Sequence, residues 1–478
     1  MRHRMTRRVL LAVLLCGLGL TFSGTAAAAN YIVLYKANAV PPDAAGQVMF
    51  AGGELVASYD QIGVAVARSE SPDFRGNLLG DRRIEDVAPT AGYGIELESV
   101  DSHEPDPEMP NTPASDADTF SQQQWDMRQI HTPEAHAITG GSRAVLAGDI
   151  DTGADFAHPD LAPNIDFGNS VSCEGGAPNQ TPAAWRDDNG HGTHTAGTIA
   201  APANGIGIVG VAPNVRLGII DVATPEGLFF PEAVVCGFMW AGDHGFDVTN
   251  NSYFADPFEY NCHNDPVTQA IFKAEHRAIR YAMNKGVTVV ASAGNSNVDL
   301  TRHPPQGNQC VRIPSEIEGV VTVTANGNLG RKSFYSNYGS AVVNVVAPGG
   351  DSTQLTPQAP NGRVLSTWPS YRPCARSLQE PPEDPSEPTT VYCYLQGTSM
   401  AAPHASGVAA LIISRYGDLA TPQNGKMRPQ QVQAYLEHSA DPQPCDAPNC
   451  YGGSGYNAYY GHGQVNALRA VTHDTGNG

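Results

Sequence analysis

Gln396-Gly397-Thr398-Ser399-Met400-Ala401-Ala402-Pro403-His404 is the stretch on which the reading of this chain turns. A glycine-led turn delivers a serine, and an apolar run of helical character, Gly407 through Ile413, follows. That predicts Ser399 at a helix N-terminus, where backbone N–H groups lack intrahelical partners and can face a developing negative charge. Pro403 has no N–H to return to the Ser399 carbonyl, so something other than helix continuation shapes the first turn. Taken alone, these residues read better as a serine N-cap on an alanine-rich core helix.

Two motifs further upstream change that balance. Ala144–Ile150 reads as an apolar strand ending in Asp151-Thr152-Gly153. A carboxylate at the C-terminal end of a strand stands where open α/β sheets build their sites. His191-Gly192-Thr193-His194-Thr195-Ala196-Gly197 opens a helix whose small residues permit close packing. The two histidines do not read as zinc ligands, because there is no third ligand nearby and no His-Glu-x-x-His. His194 reads as a packed structural residue, and Asp187-Asp188 as a solvated loop. Gly205-Ile206-Gly207-Ile208-Val209-Gly210 spells a dinucleotide fingerprint, but it follows a helix and precedes a strand, Arg216–Val222, which is the wrong context.

The rest of this region alternates. Asp247–Asn251 leads as a strand into Ser252-Tyr253-Phe254, Ala274–Lys285 is a helix, and Val287–Ala291 runs into Ser292-Ala293-Gly294-Asn295. Val320–Thr324 and Val342–Val346 are further strands. Near-continuous apolar strands alternating with helices predict an α/β fold, a parallel sheet flanked by helices.

The N-terminal part is organised differently. Arg2, Arg4, Arg7 and Arg8 precede the apolar run Val9–Leu20, and small residues end at Ala29. Residues 1–29 read as a secretory signal peptide, by the general or the twin-arginine route. Residues 30–98 carry a β-α-β-β-α-β pattern, from Tyr31–Tyr35 to Arg83–Val87, the order of a small α+β ferredoxin-like sandwich. Residues 99–118 hold many acids and prolines and neither Lys nor Arg, and read as an exposed linker open to nicking. Residues 119–478 form the large domain. No later stretch is apolar enough to span a bilayer. The net charge of −20 and the isoelectric point near 5.0 argue against nucleic acid or an anionic membrane as partner. Of nine cysteines, Cys16 leaves with the signal. The others, all beyond residue 150, read as disulfides in an exported chain, and short loops favour Cys445–Cys450 and Cys374–Cys393.

Asp-Thr-Gly, then His-Gly-Thr-His, then Gly-Thr-Ser-Met-Ala-x-Pro resembles, in order and wording, the subtilisin-like serine proteases (subtilases). The resemblance implies a subtilisin-like three-layer sandwich for 119–478, preceded by a propeptide that acts as intramolecular chaperone and inhibitor. It implies Asp151 as orienting acid, His191 as general base, Ser399 as nucleophile and Asn295 as oxyanion-hole side chain. It places Ser252, Tyr253, Phe254, Ala293 and Gly294 along the substrate cleft. Phe254 departs from the family, which often has glycine there, so either the specificity pocket is narrowed or reshaped or an insertion moves Phe254 away. Loops are expected to be longer at Asp256–Asp265 and Ser366–Val391. No cofactor is implied for catalysis. A structural calcium ion is implied at Asp160 and Asn204, with the carbonyls of Pro202, Ile206 and Ile208 and a glutamine among 122–124. The partners implied are polypeptide substrates and the chain's own propeptide, on a secreted, extracellular monomer. An α/β-hydrolase esterase would need Gly-x-Ser-x-Gly and the order serine, acid, histidine; here the serine comes last. A non-catalytic binding protein on the same scaffold is countered by competent residues at all four catalytic positions.

Overall fold

A computed structural model describes residues 28–92, 95–96, 116–253, 261–262, 265–302, 310–381, 389–422, 424–445 and 450–472. Its larger unit is built on seven strands in the spatial order Val345–Pro348, Val321–Asn326, Thr288–Ser292, Val248–Asn251, Leu146–Asp151, Arg216–Asp221, Val171–Ser172. Every neighbouring pair runs parallel.

The apolar runs are explained by burial on both faces. Ala147, Val248 and Val290 point into a core shared with the helices His191–Ala200 and Thr398–Tyr416. Leu146, Val289 and Ala291 point the other way, into a core shared with Pro231–Asp243 and Pro266–Asn284. Successive residues of a strand face opposite sides, so a strand covered twice must be apolar at nearly every position. The helix carrying Ser399 is buried from Thr398 through Ile413, which explains its small residues. A Cβ on Gly407 would lie 2.5 Å from Cβ of Val211.

Residues 29–89 form a four-stranded antiparallel sheet in the order Gly53–Tyr59, Val64–Ser69, Ala29–Tyr35, Ile84–Pro89, with helices Ala44–Phe50 and Phe74–Leu79. Val33 and Tyr35 face those helices. Ile32 and Leu34, alternating with them, join the core under Pro231–Asp243 and Pro266–Asn284 instead. The small sheet thus buries its second face on the larger unit, which compensates for the limited apolar surface it has alone. Arg277 ties the two, its Nη1 donating to the Tyr35 and Ile62 carbonyls at 3.0 and 3.1 Å and its Nη2 to Glu85 at 3.2 Å.

Two loops are more ordered than the sequence suggests. Ser366–Val391, expected as a long loop, contributes to an antiparallel ribbon of Val364–Trp368, Thr390–Leu395 and Ser377–Glu380. Asp118, counted in the exposed linker, is buried, its carboxylate accepting the N–H groups of Asn204 and Gly205 at 3.1 Å each. Cys374–Cys393 and Cys445–Cys450 both form, together with Cys173–Cys236. Cys310 is also disulfide-bonded.

Candidate functional site

The carboxyl ends of three neighbouring strands converge on one edge of the sheet. Asp151 closes its strand. Ile150 pairs with Asn251, and Asn251 with Ala291, so Ser252 and Ser292 continue from the same level. Neighbouring strands lie about 4.8 Å apart, and the crevice beyond such ends is where α/β sheets place ligands.

Asp151 Oδ1 lies 2.7 Å from His191 Nδ1 and accepts the Thr152 N–H at 2.8 Å. Because the carboxylate only accepts, Nδ1 carries the proton and Nε2 is left to act as a base. Burial works against a charge on the His191 ring. The Asp151 charge and hydrogen bond, with Asp149 and Asp187 further off, outweigh it and raise the imidazole above the usual 6.5.

Ser399 is the second residue of its helix. Its Oγ donates to the Ser252 carbonyl at 2.8 Å, and Ser252 Oγ donates back to the Ser399 carbonyl at 2.9 Å. The serine therefore hangs from the strand end next to that of Asp151, with its hydroxyl directed at a carbonyl. Asn295 Oδ1 accepts both the Thr398 N–H (2.9 Å) and the Thr398 hydroxyl (2.8 Å). Those donors fix the amide orientation, so Nδ2 must face the other way. A Cβ built on Gly397 would lie 3.6 Å from both Asn295 Nδ2 and the Ser399 amide nitrogen. Two donors thus flank one point beside the serine, the requirement for holding an oxyanion.

Several residues behave differently from the sequence reading. Asp187 is not a solvated loop residue. It is fully buried, accepting from the N–H groups of Asn189, Gly190 and Thr193 and the hydroxyls of Thr152 and Thr193 at 2.6–3.0 Å. It anchors the start of the His191 helix. Tyr253, expected along the cleft, is 2% exposed and stacks on Phe229 with ring centroids 4.8 Å apart. Phe254 and most of Asp256–Asp265 lie outside the described residues. His194 is packed as expected, its Nε2 facing the Cys393 and Val364 carbonyls, and burial pushes it down to about 3.

Sequence reasoning also missed Asp149. Its Oδ2 lies 2.7 Å from Thr195 Oγ1 on the His191 helix, and its Oδ1 accepts from Asn250, whose Nδ2 also donates to Ser252 Oγ. Burial and the Asp151 charge push its carboxyl well above the usual range, and its hydrogen bonds tie the three motifs together beneath the site. The two-residue strand Leu228–Phe229, too short to be seen in the sequence, pairs antiparallel with Ile95–Glu96. The chain leaving the small sheet therefore lies along the larger unit as an added strand.

At the implied calcium position, Asp160 Oδ2 accepts the Ile208 N–H at 2.9 Å and Asn204 Oδ1 accepts the Ile206 N–H at 3.1 Å. Among the described residues no three His, Cys, Asp or Glu side chains converge as metal ligands. One observation fits an oxygen-seeking cation: Asp160 Oδ1 is buried without a hydrogen-bond partner, and burial pushes its carboxyl well above the usual range.

Residues 142–463 match the Subtilase family. The chain is 32% identical to thermitase of Thermoactinomyces vulgaris over 357 residues, 74% of this chain and 97% of that protein. It is 30% identical to subtilisin BL of Lederbergia lenta over 349 residues, 73% and 98% of the two. The crystal structure of an epidermin leader peptide processing serine protease from Staphylococcus aureus aligns with a TM-score of 0.69, covering 93% of this chain and 98% of that one. At 23% identity that likeness speaks for the fold alone. Family match, relatives and the doubly covered parallel sheet agree, and this chain belongs to the Subtilase family as a serine endopeptidase, a hydrolase of polypeptides.

Proposed function

We propose that Ser399, His191 and Asp151 form the catalytic triad and that Asn295, with the Ser399 N–H, forms the oxyanion hole. The observation that carries this is the 2.7 Å Asp151–His191 pair on the strand end next to Ser252, whose carbonyl accepts the Ser399 hydroxyl at 2.8 Å. A serine hydroxyl is a weak nucleophile until a base takes its proton. Rotation of the Ser399 side chain away from the Ser252 carbonyl presents Oγ to His191 Nε2. Oγ then attacks the scissile carbonyl while the imidazole takes the proton. Asp151 holds the tautomer and stabilises the imidazolium, and the Asn295 Nδ2 and Ser399 amides receive the charge on oxygen. Collapse expels the amine, protonated by His191, and water hydrolyses the acyl-enzyme by the same steps in reverse. A side-chain donor of this kind is worth about 10²–10³ in turnover, a magnitude measured in a related subtilase.

The same reading makes the chain an exported zymogen: residues 1–29 a signal peptide, 30–98 a propeptide inhibitor, 99–118 a linker holding the processing site, 119–478 the catalytic domain. It is supported by the small sheet docking on Pro231–Asp243 and Pro266–Asn284 and by Ile95–Glu96 lying as a strand against Leu228–Phe229. Ser399→Ala in the full chain is expected to accumulate uncut precursor. Spontaneous maturation of that variant, followed by mass spectrometry, refutes the mechanism.

Calcium enters as a structural ion only. Asp160 and Asn204 fit it through their oxygens, and it takes no part in any catalytic step. Chelation is expected to lower the thermal midpoint by several degrees, restored by added Ca²⁺; an unchanged midpoint removes the ion from this account.

A further inference from the structure

We propose that Asn337 is a positioning residue for the reaction: it holds the turn that carries Asn295, so that the Asn295 amide waits for the oxyanion at one place. The proposal deepens the serine-peptidase reading and rests on Asn295 being an oxyanion donor.

Asn295 leaves its strand on a turn that needs outside support. Residues 293–298 belong to no helix or strand. Gly294, just before Asn295, has φ +95°, and Asn297, two residues after it, has φ +54°. Left-handed backbone is uncommon outside glycine, and a residue with a Cβ keeps it only where the surroundings impose it.

The support comes largely from one residue. Asn337 is fully buried. Its backbone N–H donates to the Gly294 carbonyl at 2.9 Å. Its Nδ2 donates to the Ala293 carbonyl at 2.9 Å. Its Oδ1 accepts the N–H groups of Ser296 and Val298 at 3.1 and 3.0 Å. Two of these bonds fall on the residues before Asn295 and two on the residues after it. The amide orientation is not arbitrary: a carbonyl takes only a donor and an N–H gives only to an acceptor, so Nδ2 and Oδ1 cannot be exchanged. The approach is also close, since a Cβ on Gly294 would lie 2.6 Å from Asn337 Nδ2.

Other contacts hold other parts of the turn. The Asn297 N–H donates to the Tyr335 carbonyl at 2.7 Å, and Asn297 Oδ1 accepts from Lys332 Nζ at 2.8 Å. These fix the far end. The Asn295 side chain is oriented from the serine's helix, through the Thr398 N–H and hydroxyl. Thr398 thus sets the direction of the amide, and Asn337 places the backbone from which it hangs. A preorganised donor works only if it is in position before charge develops, and a misplacement of about 1 Å can cost about 100-fold. Asn337 therefore acts on turnover without touching substrate.

The test uses enzyme allowed to process to completion, with active sites counted by fluorophosphonate titration so that misfolded molecules drop out. kcat and KM are measured on a peptide p-nitroanilide, and affinity on a peptide aldehyde that forms a tetrahedral adduct with Ser399. Asn337→Ala is expected to lower kcat per site by about 10- to 100-fold, with KM changed by less than about threefold and aldehyde affinity weakened in step with kcat. Asn337→Asp, which keeps Oδ1 and gives up the amide donor, is expected to fall between wild type and Asn337→Ala. The deciding measurement is the double-mutant cycle with Asn295→Ala. In that background the Asn337→Ala effect on kcat should shrink to about threefold or less, because no donor is left to place. If Asn337→Ala yields no titratable sites, Asn337→Asp carries the same cycle. Wild-type kcat per site in the Asn337 variants overturns the proposal, as does an equal loss with and without Asn295. Unchanged kcat in Asn295→Ala alone overturns the oxyanion reading itself; a loss there with an additive cycle overturns only the role of Asn337.

Discussion

In the proposed mechanism a single proton decides whether His191 works. Burial opposes its charge, but the Asp151 carboxylate, with Asp149 and Asp187 beyond, holds the ring above 6.5. Only the neutral imidazole can accept the Ser399 proton. We therefore expect kcat/KM to fall on the acid side with a midpoint above 6.5, and a midpoint at or below that value contradicts the electrostatics. Stability runs the other way. The folded pKa exceeds the unfolded one, so the protonated ring adds stability that is complete below about 6.5 and is lost as pH rises through the folded value. Thermal midpoints taken alongside the rate profile should show this increment fading over the range where activity appears. Asp149 belongs to the same scale: its carboxyl bridges Thr195 on the His191 helix and Asn250 on the neighbouring strand.

At the scale of elements, the site depends on how the His191 helix begins. Gly190 precedes it with φ +112°, and Trp368 of the ribbon packs where its Cβ would stand. Three N–H groups at this start, from Asn189, Gly190 and Thr193, end on the one carboxylate of Asp187. Asp187→Ala leaves those buried donors unsatisfied. The expected result is a loss of about 3 kcal/mol or more in urea unfolding and kcat at least about tenfold lower per titrated site, because the imidazole is no longer held at one position. Wild-type values for both would show that the helix start is fixed by other contacts. The acid was legible as a residue but not as an anchor, since its partners lie on two segments that meet only after folding.

At the scale of the whole molecule, the two units are held by alternate faces of one small sheet. Ile32 and Leu34 supply apolar contact, and Arg277 reaches two carbonyls and Glu85 across the boundary. Arg277→Ala in the full chain is expected to weaken docking on the order of 30-fold, about 2 kcal/mol. It should shorten the lag between processing and the appearance of activity. An unchanged lag would place the hold of the small unit in its apolar face alone.

The sequence by itself determined the parallel α/β sheet, because strands buried on both faces must be apolar throughout, and it determined the order and spelling of the three motifs. Local chemistry shows in local spelling: a glycine-led turn before Ser399, a carboxylate at a strand end, small residues after His191. Tertiary structure alone decided what depends on distant segments meeting. Asp118 and Asp187 read as solvated because nothing beside them in the chain reveals the N–H groups they capture. Tyr253 reads as a cleft residue, and only the folded chain lays Phe229 against its ring.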